Sequence, residues 1–116
     1  MVVRQLDQDE VDRVFAALAD ATRRDIVTRV LRGEASVSTL ARSYAMSFAA
    51  VQKHVAVLER AHLVVKQQQG REQIVHADVA TIRAAARLLD RYEEIWRGRV
   101  DRIDDLLREE PGRTGT

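Results

Sequence analysis

The sequence contains no cysteine and only one proline among its 116 residues. The absence of cysteine excludes disulfides, zinc–thiolate and iron–sulfur sites, and thiol nucleophiles. No run of 18 apolar residues is present, so no segment is expected to span a membrane. The opening segment "MVVRQLDQDEVDR" also lacks an apolar stretch of signal-peptide length, and we therefore expect a cytoplasmic protein.

The composition indicates one folded domain with an uneven distribution of charge. Hydrophobic residues make up 46% of the chain and charged residues 32%, which is typical of a globular protein. The net charge is only +1, yet residues 36–76 hold five basic side chains against two acidic ones. A basic segment between two nearly balanced flanks fits contact with nucleic acid, although a random domain could show the same excess.

Four helices are predicted in the first half of the chain. "DEVDRVFAALAD" has helical spacing of its apolar residues, and Asp20 then fits the N-cap of "ATRRDIVTRVLR". Gly33 follows, where a left-handed residue is expected to end the helix. Two short helices follow, with N-caps at Ser36 and Ser47, separated by about three residues. That is helix-turn-helix spacing.

The segment "LVVKQQQGREQIVHA" changes to a β pattern. Two β-prone runs, Val64–Gln68 and Gln73–Ala77, flank Gly70 and Arg71, and glycine suits the positive φ that a tight hairpin turn needs. A hairpin directly after a helix-turn-helix is a wing. From residue 79 to about 110 the pattern is helical again, with apolar residues spaced by seven, so part of this helix is expected to contact another subunit.

The predicted fold is therefore mainly α: a winged helix-turn-helix with a two-stranded β-wing and a long C-terminal dimerisation helix. We predict a single domain over residues 1–110, with a DNA-binding core at 20–77 and dimerisation helices at 9–19 and 79–109. Residues 111–116 are predicted to form a flexible tail. The predicted dimer interface comprises Val11, Phe15, Ile82, Leu89, Tyr92, Trp96, Val100 and Ile103.

The second helix of the pair, "SFAAVQKHVAVLER", carries the candidate DNA contacts. In a winged helix-turn-helix this helix enters the major groove. Ala49 is small enough for a close approach of the backbone, and Gln52, Lys53 and His54 offer hydrogen bonds to bases and phosphates. Ser36 and Thr39, near a helix N-terminus, are further candidates for phosphate contact.

The run from Leu18 to Glu72 resembles the ArsR-type winged helix-turn-helix repressors of bacteria. The matching motifs are "LADATRRDIV", "SVSTLA", "SFAAVQKHVAVLERAHLV" and the "GR" of the wing tip, and the tail "RYEEIWRGRVDRIDDLL" is similar to the SdpR-like subgroup. The resemblance implies a homodimer that binds a short inverted repeat in double-stranded DNA and represses a nearby operon, often its own. It also implies DNA contacts at Ser47, Gln52, Lys53, His54 and Arg71.

The chain departs from the family pattern at its metal sites. Metal-sensing members carry Cys-Val-Cys where this chain has "SVS", and serine is a poor ligand for soft metals. The other family site uses Asp and His on the last helix, but residues 79–110 contain no His. We therefore predict no metal response and no cofactor. His62 stands where the family usually has Gly, and we expect it to adopt the left-handed conformation.

Two other functions remain open at this point. The winged helix could serve protein–protein contact without a specific DNA site. Alternatively, the protein could be a sensor gated by an organic effector bound near Trp96, although no effector is identifiable from sequence. An enzyme is not expected, since no phosphate loop, nucleophile motif or dinucleotide fingerprint is present.

Overall fold

A computed structural model describes residues 5–109 of the chain, so the predicted tail at 111–116 lies outside the described residues. The winged helix-turn-helix prediction is confirmed: four helices precede a β-hairpin, and a long helix follows it. In chain order the elements are α1 (Gln8–Leu18), α2 (Ala21–Arg32), β1 (Ala35–Ser36), α3 (Val37–Arg42), α4 (Phe48–Arg60), β2 (Val64–Gln69), β3 (Glu72–Ala77) and α5 (Val79–Arg108).

Contacts along the chain define two compact units, residues 1–85 and residues 86–116, and the boundary between them falls within α5. The single domain over residues 1–110 stays a prediction. The first unit contains one hydrophobic core, to which α1–α4, both wing strands and the start of α5 contribute. Its largest fully buried apolar side chains are Ile26, Leu40, Leu58, Leu63, Val14, Val51, Val55, Val64 and Val75.

The predicted two-stranded wing is confirmed as the hairpin of β2 and β3. It belongs to a three-stranded antiparallel sheet in the order β1-β3-β2, and the third strand was not predicted. The missing strand is only two residues long, Ala35–Ser36, and pairs with Val75 and Ile74 of β3. So short a strand has no alternating pattern that the sequence could show. In the hairpin, Gln69 pairs with Glu72, which leaves Gly70 and Arg71 as a two-residue turn.

Two of the predicted left-handed residues are confirmed and one is wrong. Gly70 has φ 62° and His62 has φ 60°. His62 ends α4 in a Schellman motif, because its N–H donates to the Glu59 carbonyl and the Leu63 N–H donates to the Leu58 carbonyl. Gly33 instead has φ 175°, an extended conformation that leads through Glu34 into β1.

Tyr44 ties the turn between α3 and α4 to α2. Its hydroxyl donates to Asp25 Oδ2 at 2.6 Å, and Arg29 Nε donates to the same oxygen at 2.8 Å. These two hydrogen bonds hold the pKa of Asp25 below its ordinary value. Burial, together with the hydrogen bond to Asp25, raises the pKa of Tyr44 to about 12.

We therefore expect a stability loss at alkaline pH that depends on Tyr44. In the unfolded chain a tyrosine ionises near pH 10, about two pH units below Tyr44 in the folded state. Between these values the unfolded state loses its proton first, so the free energy of unfolding falls as pH rises from about 10 to about 12. Urea unfolding at a series of pH values should show this decline, and Tyr44→Phe should lack the component. A parallel decline in both proteins would contradict the assignment.

Candidate nucleic-acid interface

Helix α4 buries one side and exposes the opposite side. Val51, Val55 and Leu58 are fully buried in the core of the first unit. Successive residues of an α-helix are rotated by about 100°, so Gln52 and Lys53 lie about 100° and 200° from Val51. Both are exposed, as is Ala49 one turn earlier. This face combines an amide, a cation and a small residue, a set suited to close contact with a polar groove.

The start of α4 is open to an approaching anion. The Ser47 side chain caps the helix by accepting a hydrogen bond from the Ala50 N–H at 3.1 Å. The first turn contains no acidic residue, and Ser47 and Ala49 are exposed. A phosphate near this end would meet the positive end of the helix dipole without a repelling carboxylate.

The sequence argument placed His54 on the same outward face, and the structure corrects this. His54 lies about 300° from Val51, which puts it beside the buried stripe and not opposite it. Its ring is half-buried, and its Nδ1 lies 3.2 Å from Arg23 Nη1 of α2. Because a guanidinium can only donate, Nδ1 is the acceptor, and this hydrogen bond holds His54 against α2.

The side chain of Arg23 links α2 to the end of α1 and to α4, a role that the sequence did not predict. Besides contacting His54, its Nε donates to the Ala17 carbonyl at 2.7 Å and its Nη2 to the Ala16 carbonyl at 3.3 Å. These carbonyls belong to the end of α1, whose last turn has no basic residue of its own. The "TRR" of the family motif could have suggested this role, since such a residue close after a helix can reach back to its end.

Ser36 and Thr39, both predicted to contact phosphate, differ in accessibility. Ser36 is only 5% exposed; its hydroxyl donates to Thr39 Oγ1 at 2.9 Å and accepts from the Thr39 N–H at 3.0 Å. It is therefore an N-cap of α3 whose hydroxyl is already engaged, and a direct DNA contact through it is not supported. Thr39 is exposed and remains available.

The wing lies beside the start of α4 and encloses a cleft with it. The cleft has a volume of about 250 Å³, and Arg71 at the wing tip is one of its exposed members. The sequence analysis missed Phe48, which begins α4 and faces this cleft while remaining exposed. Helical spacing would assign Phe48 to the buried stripe, three residues before Val51. The residues lining the cleft are Val37, Ser38, Phe48, Gln52, Gln68, Arg71, Glu72 and Gln73.

Comparison with known proteins decides the family. No protein-family model matches the chain. The HTH-type transcriptional regulator Rv2034 of Mycobacterium tuberculosis is 40% identical over 81 residues, which cover 70% of this chain and 76% of that protein. The solved structure of an ArsR-like transcriptional regulator from Rhodococcus sp. RHA1 is 36% identical, with a TM-score of 0.73, covering 84% of this chain and 92% of that one. The chain belongs to the ArsR family of transcriptional regulators.

Two further structures support the fold of this ArsR-family regulator. The ArsR family transcriptional regulator RHA00566 is 30% identical, with a TM-score of 0.74 over 81% of this chain and 97% of that one. The winged helix-turn-helix DNA-binding domain of Mb0332 from Mycobacterium bovis, described as homodimeric, is 24% identical with a TM-score of 0.61. The matched region covers 80% of this chain and 92% of that domain. The relatives are transcriptional regulators and not enzymes, and this chain is a transcriptional regulator of the same family.

The predicted dimer residues of the regulator are mostly exposed apolar side chains. Phe15 is exposed on α1 and Val11 is half-buried there. Ile82 was predicted at the interface, but it packs against the core of its own first unit, which accounts for its burial. The predicted interface residues in the part of α5 that belongs to the second unit are all exposed: Leu89, Tyr92, Trp96, Val100 and Ile103. The apolar side chains of Ile95, Leu106 and Leu107 in the same part of α5 are exposed as well.

Neither a metal cluster nor a membrane helix is found in the part of the chain that the structure describes. Across residues 5–109, no group of three His, Cys, Asp or Glu side chains is placed to hold a metal ion. No helix within the same residues is long and apolar enough to cross a membrane. The absence of a metal response remains a prediction.

Proposed function

We propose that the protein is a repressor that binds a short inverted repeat as a homodimer and controls a nearby operon that includes its own gene. The observation that carries this proposal is the outward face of α4, where Gln52, Lys53 and Ala49 are exposed beside the Arg71 wing tip. The basic excess of residues 36–76 coincides with this surface. A bacterial operator lies in the cytoplasm, at the nucleoid, and the proposal implies that location.

Each exposed residue has a role suited to its chemistry. Gln52 would contact a base edge, since a side-chain amide can donate and accept in the major groove. Lys53, Ser47 and Thr39 would contact phosphates, and Ala49 would permit a close approach of the helix. Arg71 would extend the contact to the minor groove or its phosphates. His54 would act from the flank of α4, held by Arg23, and not through the outward face.

The dimer would be formed by α1 and the exposed stripe of α5. Phe15 on α1 and Trp96 on α5 are large apolar side chains exposed to water in the single chain. Covering them gains roughly 1.5–3 kcal/mol for each side chain that becomes fully buried. Two-fold symmetry would set the recognition helices about 34 Å apart, one turn of DNA.

DNase protection on the region upstream of the protein's own gene tests repression of that gene. The protein should protect a two-fold symmetric patch at about 0.15 M salt in the presence of excess nonspecific DNA. Zinc, cadmium and arsenite at low micromolar concentration should leave the patch protected. Release by any of the three would contradict the predicted absence of metal response, and lack of protection would contradict autoregulation.

Lys53→Ala is expected to weaken DNA binding without changing sequence preference. A phosphate contact releases condensed counterions, so the slope of log affinity against log salt should flatten by about one for each Lys53, or about two for a dimer. Arg97→Ala removes one positive charge as well, but from α5, which is outside the proposed DNA interface, and it serves as the control. Fluorescence anisotropy over a salt series measures both slopes. An unchanged slope for Lys53→Ala would contradict its phosphate contact.

A further inference from the structure

Phe48 is an aromatic side chain in an unusual position for a folded protein. It is the first residue of α4 and is 46% exposed, although Val51 three residues later is fully buried. Its open side faces the cleft between α4 and the wing. Phe48 is therefore only about half covered, and its remaining apolar surface is exposed beside residues suited to contact DNA.

Phe48 and Gln52 are neighbours on one face of the recognition helix. They are separated by four residues, which brings their side chains together one turn apart, and both line the same cleft. The small residues Ser47 and Ala49 flank Phe48, and the first turn has no acidic residue. The first turn of α4 can therefore approach a negatively charged groove closely, with the exposed part of the phenyl ring beside Gln52.

The chemistry of the major groove offers one apolar partner. The C5-methyl of thymine is the apolar feature among the donors and acceptors that the four base pairs present there, and phenylalanine is suited to contact it. Phosphate oxygens offer no comparable gain to a phenyl ring, because they would leave its apolar surface in contact with charged groups and water. A sugar contact would carry no information about the base.

We propose that Phe48 is a specificity-determining residue that contacts the C5-methyl of a thymine in each half-site. One helical turn is about 5.4 Å and one base-pair step about 3.4 Å, so this thymine lies within about two base pairs of the base that Gln52 contacts. The inference rests on the proposed DNA-binding function. It deepens that function by naming an aromatic contact and the base it selects.

The test removes the methyl group from the DNA and leaves the protein intact. A binding site is first selected from a pool of random duplexes, and each thymine of that site is then replaced singly by deoxyuridine, which lacks only the C5-methyl. At one position per half-site the replacement should weaken binding about fourfold, the factor that corresponds to about 0.8 kcal/mol for one buried carbon. Replacement in both half-sites should cost about sixteenfold.

Variants of the protein identify the side chain responsible. Phe48→Ala should bind thymine and deoxyuridine duplexes equally, whereas Val65→Ala, which truncates an exposed apolar residue of the wing, should keep the full discrimination. Circular dichroism of both variants would establish whether each one folds. The wild-type comparison stands even if Phe48→Ala does not fold.

The outcomes separate this inference from the function on which it rests. If the wild-type protein selects a site but no deoxyuridine replacement weakens binding, the inference is overturned and the DNA-binding function stands. Persistent discrimination by a folded Phe48→Ala variant would also overturn it, since another residue would then contact the methyl. If no site is selected from the random pool, the proposed function itself fails.

Discussion

Replacing Trp96 by glutamate is expected to dissociate the dimer and, with it, to remove specific DNA binding. Trp96 is 59% exposed in the single chain, in the middle of the stripe that includes Leu89, Val100 and Ile103. Two-fold symmetry introduces the change twice, and a buried, unpaired carboxylate would be strongly unfavourable on each side. Without a partner, each recognition helix binds one half-site alone, and the affinity should fall at least about 100-fold.

Sedimentation equilibrium and anisotropy on the same samples measure the two effects of Trp96→Glu together. Glu94→Ala provides the matched control, because Glu94 is exposed on α5 well away from the stripe in helical angle. The control should remain dimeric and bind DNA with wild-type affinity. A Trp96→Glu variant that is still dimeric would contradict the proposed α5 interface. A monomeric variant that still binds the full site tightly would contradict the need for a dimer.

Gln52→Ala is expected to cost roughly 1–3 kcal/mol in specific binding, a loss of about five- to 150-fold, and to relax the preference at one base position. The reason is that a base edge loses its hydrogen-bonding partner while the phosphate contacts remain. Gln5→Ala removes an exposed amide that precedes α1, outside both proposed interfaces, and should have no such effect. Binding to all four base pairs at each operator position measures the preference.

The pattern of loss distinguishes a base contact from a positioning contact at Gln52. Equal weakening on specific and nonspecific DNA would reassign Gln52 to phosphate contact. Unchanged affinity together with unchanged preference would show that Gln52 contacts neither a base nor a phosphate. Combining Gln52→Ala with the deoxyuridine duplexes would further show whether the Gln52 and Phe48 contacts are coupled.

Local features of the fold could be predicted from the sequence because their hydrogen bonds join residues close in the chain. Asp20 caps α2 by accepting from the Arg23 N–H, and Ser47 caps α4 in the same way. Gly70 and His62 take positive φ where a hairpin turn and a helix end require it. Short-range chemistry of this kind leaves a signature within three or four residues.

Features that depend on distant segments could not be predicted in this way. The half-buried placement of His54 depends on Arg23, which is 31 residues earlier in the chain. Likewise, the pairing of β1 with β3 joins Ala35 to Val75, and nothing in the two residues of β1 signals it. In each case the sequence of the segment does not identify the distant residue or strand that it contacts.

The sequence predicted which helix carries the candidate site and which side of it is exposed, but not which residues stand at the edge of that side. The helix-turn-helix spacing identified α4, and the period of its apolar residues identified the exposed side with Gln52 and Lys53. The period could not decide residues at the edge of the buried stripe, since a shift of about 60° separates contact with the core from exposure. Phe48 and His54 both stand at that edge, and both were assigned from the structure.

The central claim is that this ArsR-family regulator is a dimer that reads a specific two-fold symmetric DNA sequence. Selection from a pool of random duplexes at about 0.15 M salt, with excess nonspecific competitor, tests it most directly. The account predicts enrichment of one inverted repeat whose half-site centres lie about one helical turn apart, each containing a thymine next to or near the base that Gln52 contacts. Recovery of duplexes with no shared sequence, or of a single asymmetric site bound by one chain, would contradict it.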